Sequence, residues 1–178
     1  AFRFISPDKK RLLWEAHIML SKGKSKDAAN VLFRTQVKKP VLPMLESSVR
    51  EDLYDEIELI GFTVSAPVFN LVRSAFRWDI PARQLASHTG KVVRMVGDFV
   101  TDKHVRTKNG TTMKFGTFLD NEGTFFDTVH FPQSLKSFPL NGNGVFLIEG
   151  KVVVDFGCSA IEVHKIARMP VHPDPRSI

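Results

Sequence analysis

The residues best suited to engaging a partner are cations and aromatic rings. Lys103, His104, Arg106, Lys108 and Lys114 crowd into one short stretch, opposed there only by Asp102. Asn109 and Gly110 in its middle are a strong signal for a tight hairpin turn. A hairpin tip carrying concentrated positive charge can follow a phosphate backbone, and it can equally be a merely soluble hairpin. The two readings weigh evenly. Phe115, Phe118, Phe125, Phe126 and Phe131 follow closely, and ring faces are what unpaired bases stack on. Period-two alternation sends about half of these rings to the core, which leaves Phe115 and Phe125 as the candidates to face outward.

Residues for covalent or acid–base chemistry are not arranged in any working pattern. His17, His88, His104, His130, His164 and His172 stand singly, and there is no Gly-rich phosphate loop, paired-His metal motif or nucleophile elbow. A lone Cys158 with no obvious His partner reads as structural. Asp52, Asp55, Glu56 and Glu58 are dispersed around one helix and read as a solvated face. The expectation is a binding module with no catalytic centre, no metal and no cofactor.

The elements that must position these residues are short β-branched and aromatic runs separated by turns. They cover 91–97, 113–120, 124–131, 144–154 and 159–166. Five such runs predict an α+β chain in which a helical N-terminal segment precedes a five-stranded antiparallel OB-fold barrel. Pro132 to Phe138 reads as the short helix that plugs such a barrel. Gly97 is expected to permit a bulge, and Pro170, Pro173 and Pro175 to end the chain in an extended tail.

Upstream, Ser6 and Pro7 open a predicted first helix with Leu12, Leu13, Ala16 and Leu20 on one face. A basic linker follows from Ser21, and the blander view of it, a solvated run, is favoured over phosphate contact. Ser47 or Ser48 caps a second helix from Val49 to Ile60, stopped by Gly61. A third helix is predicted from Pro67 to about Phe76, then a short helical turn before the barrel. The domain reading is therefore 1–46, a helical end and linker; 47–88, a helical connector; 89–169, the nucleic-acid-binding barrel; and 170–178, the tail.

Composition sets the remaining bounds. The chain has 178 residues, 43% hydrophobic and 25% charged, with a net charge of +6. The base is not where the barrel is. Residues 1–50 hold 11 Lys and Arg against 4 acids, whereas 90–169 hold 10 against 8. Charge alone does not make the barrel a nucleic-acid binder. One cysteine fits a reducing compartment, and neither a membrane-length apolar run nor a signal peptide's apolar region is seen, so the cytoplasm is expected. The absence of an initiator Met points to a fragment.

Several motifs resemble the C-terminal part of the bacterial DNA polymerase III alpha subunit, in the form found in Bacteroidetes. The run from Tyr54 to Ser65 is similar to that family's Glu-x-x-x-Leu-Gly segment, although Ala66 and Pro67 replace its usual Gly-His-Pro. Gly90 to Gly97, Thr107 to Gly110, Phe115 to Asp120, Glu122-Gly123, Val129 to Phe131 and Ile148 to Val152 then follow the family's OB domain in order. The resemblance covers roughly residues 50–168. It implies that 1–20 is the tail of a helix-hairpin-helix region, and that the barrel binds single-stranded template DNA during replication. The polymerase (nucleotidyltransferase) centre would lie in upstream domains. It also implies that Leu32 and Phe33 end a sliding-clamp peptide, although Ala29 stands where that peptide has glutamine. From the residues alone, Leu32 and Phe33 read more simply as packing on their own domain. The alternative function is thus a protein-interaction module docking the sliding clamp or other replisome subunits.

Overall fold

The computed structural model describes residues 8–22, 48–108, 110–155 and 157–177. These belong to two compact units, Ala1–Asp52 and Leu53–Ile178. Ser6, Pro7, Ala29, Leu32, Phe33, Ser47 and Asn109, all singled out in the sequence, lie outside the described residues.

Helix α1 spans Lys9–Lys22 and helix α2 spans Val49–Ile60. The Arg11 amide donates to Asp8 Oδ1 at 3.0 Å, so Asp8 caps α1. In α1, Leu13 and Leu20 of the predicted apolar face are exposed. Ser48 caps α2 by accepting from the Glu51 amide at 3.2 Å. Gly61, at φ 86°, ends that helix in the left-handed conformation while its amide still donates to the Ile57 carbonyl.

The barrel has strands β1 (Val92–Arg106), β2 (Thr112–Leu119), β3 (Phe125–His130), β4 (Val145–Asp155) and β5 (Cys158–Arg168). They close in the order β1-β2-β3-β5-β4, which is the OB fold. One expectation needs correction here: the barrel is not wholly antiparallel, because β3 and β5 run parallel. The reason is parity. Going once around a ring of five strands, directions cannot alternate at every step, so one neighbouring pair must agree. Helix α3 (Pro132–Ser137) lies between β3 and β4, with Leu135 and Phe138 packed on the core.

Strand β1 is long and serves two neighbours. Val92 to Asp98 pair with β4, and Asp98 to Arg106 pair with β2. The basic stretch up to Arg106 is therefore a strand arm and not part of the turn. The early half of β1 would leave a bare edge on its other side. The connector fills it: the Val96 amide donates to the Arg77 carbonyl at 2.7 Å, and the Asp79 amide to the Arg94 carbonyl at 2.8 Å. The predicted third helix also needs correction. Only a 3-10 turn forms at Val68–Leu71, after which Val72 bridges to Val171 and Trp78 to Met95. Residues committed to strand-like bridges cannot also hold helical dihedrals. A second 3-10 turn, Ala82–His88, precedes the barrel.

The tail is extended only as far as Asp174 and then turns at Pro175–Arg176, where the Ser177 amide donates to the Asp174 carbonyl at 3.0 Å, and it is held along its length. The His172 amide donates to the Leu71 carbonyl at 2.8 Å, and the Tyr54 hydroxyl donates to the His172 carbonyl. Arg176 pairs with Asp174 at 2.7 Å and also with Asp55.

The barrel interior is aromatic at one end. Phe118 is fully buried, stacked on Phe126 with centroids 5.7 Å apart and edge-on to Phe99 at 5.6 Å and Phe146 at 6.2 Å. Gly97 faces this cluster. It pairs in regular register with Phe146, and the bulge of β1 falls later, between Phe99 and Thr101. Gly97 is thus a gap for rings and not the expected bulge: a methyl there would lie 2.7 Å from Phe126 Cζ and 2.8 Å from Phe118 Cβ. Gly150 is tighter still, its added methyl falling 2.2 Å from the Glu162 carbonyl oxygen. Gly97→Ala should therefore cost about 1–3 kcal/mol in urea unfolding through overpacking. Gly150→Ala should cost more, because backbone cannot swing aside as a ring can. Equal midpoints for the two variants would contradict this ordering.

Candidate nucleic-acid interface

Alternation along β2 and β3 sorts the site residues. Gly116 and Phe118 point inward from β2, as do Phe126, Thr128 and His130 from β3, and all five are buried. The opposite parity gives an outer surface of Met113, Phe115, Thr117 and Leu119 on β2 and Phe125, Asp127 and Val129 on β3. Cross-strand pairs on this surface are Phe115 with Val129, Thr117 with Asp127, and Leu119 with Phe125. Phe115 is 41% exposed and Phe125 63%, large values for side chains of this size. Four residues of β2 separate their rows, roughly 13 Å along the strand. Phe131, also exposed, continues the outward row at the mouth of α3.

The five basic candidates divide between two faces. Lys103 is exposed and lies directly across from Phe115, so cation and ring sit together on the outer surface. His104, Arg106 and Lys114 have the other parity. His104 pairs with Lys114 across the strands, and His104 Nε2 lies 3.1 Å from Asp102 Oδ2. Lys114 is only 15% exposed, with Nζ 3.0 Å from Asp102 Oδ2 and 2.9 Å from the Leu140 carbonyl it donates to. It is engaged in tying the hairpin to the segment before β4. Burial pushes the Asp102 carboxyl up, but the hydrogen bonds and charges of Lys114 and His104 outweigh it and hold it below its usual value. Arg106 and Lys108 are exposed near the turn, where the Thr107 amide and hydroxyl both donate to the Thr111 carbonyl at 2.8 and 3.1 Å.

Sequence reasoning missed three groups. Asp127 and Thr117 share the outer surface, with the Thr117 hydroxyl donating to Asp127 Oδ1 at 2.7 Å. Parity with Phe125 was the available signal for Asp127. Asp120 is buried and accepts from three backbone amides, Ala82 at 3.1 Å, Glu122 at 2.9 Å and Thr124 at 2.8 Å. It fixes the β2–β3 turn to the 3-10 turn before β1, and only its place in a tight turn could have hinted at this. His130 is buried behind the surface, with Nε2 3.0 Å from Thr128 Oγ1. Among the described residues no group of three His, Cys, Asp or Glu is placed to hold a metal, and no helix is long and apolar enough to cross a membrane.

No protein-family model matches the chain, and no curated protein matches its sequence. Solved structures do match. The single-stranded DNA binding protein of Thermus aquaticus is 19% identical, with a TM-score of 0.41 over 46% of this chain and 41% of that one. The chain therefore spans about two fifths of that protein's length. The second OB-fold domain of replication protein A from Methanococcus maripaludis is 16% identical, with a TM-score of 0.34 over 45% and 85% of the two chains. The small single-stranded DNA-binding protein of Streptomyces coelicolor is 15% identical, with a TM-score of 0.35 over 45% and 93%. The OB assignment rests on the strand order itself.

Two measurements separate surface from scaffold. Phe115→Ala, Phe125→Ala and Lys103→Ala should each leave unfolding free energy within about 1 kcal/mol of the parent, whereas Phe118→Ala should cost about 3–5 kcal/mol. Lys114→Ala should cost about 1–3 kcal/mol by stranding Asp102 and the Leu140 carbonyl.

The second measurement is pH dependence. Burial, then the Lys114 charge, lowers His130 from its ordinary 6.5 to about 4, with Asp102 partly opposing. Between those values the unfolded chain takes up a proton that the fold refuses, so stability falls as pH drops from 6.5 towards 4. The loss amounts to roughly 3 kcal/mol at the acid end. Burial raises Asp98 from 3.8 to about 6, the Phe99 amide partly opposing, and gives the reverse slope, stability declining as pH rises through that range. Comparison with His130→Gln isolates the histidine contribution: the variant should lose less stability than the parent between pH 6.5 and 4.

Proposed function

We propose that this chain binds single-stranded DNA on the outer surface of β2 and β3, as the non-catalytic C-terminal region of a replicative DNA polymerase III alpha subunit. The observation that carries the binding reading is the pairing of Lys103 with Phe115 on a surface that also exposes Phe125. A ring offers every base a stacking face, worth about 1–3 kcal/mol per base, and a neighbouring ammonium offers the backbone a counter-charge. In OB folds generally this strand face and the β1–β2 loop bind oligonucleotides, and Arg106 and Lys108 border that loop here. The polymerase context draws its support from the ordered motifs between Tyr54 and Val152. On this reading the chain guides template, and nucleotidyl transfer belongs to other domains.

The test is anisotropy of a labelled dT15 oligonucleotide across a salt series. Affinity should fall as salt rises. Phe115→Ala and Phe125→Ala should each weaken binding by about 1–3 kcal/mol with the salt slope unchanged. Lys103→Ala should reduce the slope by about one. Affinity indifferent to salt and to both ring removals would refute the reading.

A further inference from the structure

The proposed surface contains a group that a purely phosphate-binding face would exclude. Asp127 is exposed between the two aromatic rows and forms no ion pair among the described residues. A carboxylate repels the very backbone that Lys103 attracts. Its presence is accounted for if it meets the donor edge of a base.

The surroundings are shaped for that. The cross-strand neighbours of Asp127 are small, Thr117 on β2 and Ala160 on β5. Along its own strand it is flanked by Phe125 and Val129. The carboxylate thus stands between small cross-strand neighbours, with apolar residues on either side of it along β3. Phe125 is two residues away, roughly 7 Å along the strand, so a base stacked on that ring can turn its Watson–Crick edge towards Asp127. The Thr117 hydroxyl, donating to Oδ1 at 2.7 Å, orients the carboxylate. Two carboxylate oxygens offer about four acceptor positions, so this one bond leaves most of them free.

Resting on the single-stranded DNA reading above, we propose that Asp127 is a specificity-determining residue that selects guanine over thymine at the position stacked on Phe125. Guanine presents two adjacent donors, N1–H and the exocyclic N2 amine, matched to the two oxygens of a carboxylate. Thymine presents one donor, N3–H, flanked by two carbonyl oxygens that a carboxylate repels. Thr117 is a positioning residue that acts through Asp127.

Labelled dT15, d(TTG)5 and d(TTI)5, in which inosine lacks the N2 amine, test this against the full chain. The parent should bind d(TTG)5 about tenfold tighter than dT15, with d(TTI)5 between them. Asp127→Asn should abolish most of that gap and, by removing a charge that repels the backbone, tighten dT15. Thr117→Val should narrow the gap by weakening d(TTG)5 more than dT15. Equal parent affinity for dT15 and d(TTG)5, or a gap that survives Asp127→Asn, overturns the assignment and leaves the single-stranded reading standing. Loss of dT15 binding in Asp127→Asn makes the residue structural and also overturns it. Failure of the parent to bind any of the three refutes the reading beneath it, and the inference with it.

Discussion

Phe118 can be buried only because Gly97 and Gly116 have no side chains. The ring fills the end of a small barrel among Phe99, Phe126 and Phe146, and a methyl on either glycine would press into it. Four large rings at one end give the barrel its apolar payload, and the glycines let opposite walls approach closely enough to close over them. Since strand side chains alternate, committing Phe118 and Phe126 to the interior also commits Phe115 and Phe125 to the exterior. The exposed surface is in this sense a consequence of how the core is packed.

Around this core, polar anchors bind the connector to the barrel. Asp120 joins the β2–β3 turn to the 3-10 turn at Ala82. Asp79 receives the Arg94 amide and guanidinium, whose hydrogen bonds chiefly hold its carboxyl below the usual range. Arg77 donates to the Ser74, Phe76 and Phe69 carbonyls. These bonds satisfy backbone groups in an irregular segment that supplies few of its own. Residues 53–91 and the tail therefore act as a covering for β1 and its outer face, where Val96 packs with Phe69, Val72 and Met169.

Much of the architecture was legible in residue order. Helix α2 has the bounds its cap, acidic first turn and terminal glycine imply, and each strand after β1 lies within two residues of its apolar run. The arm of β1 past Gly97 was not legible, since Asp98 to Arg106 are polar enough to resemble a loop and become strand only by pairing with β2. The connector misled in the opposite direction: its apolar spacing suits a helix, yet Val72 bridges to Val171 in the tail and Trp78 to Met95 on the free edge of β1.

By itself the sequence determined a helical segment before a five-stranded barrel, the tight hairpin turn, and the parity that separates Phe115 and Phe125 from Phe118 and Phe126. Those follow from local rules: capping, turn chemistry and the two-residue period of a strand. Tertiary structure alone decided which cations share a face with the rings. Lys103 and Lys114 are equally basic in the sequence, but register sets Lys103 against Phe115 and Lys114 against His104. One ammonium is left at the outer surface and the other is drawn to Asp102 and the Leu140 carbonyl, because a part-buried charge must find partners within a few ångströms.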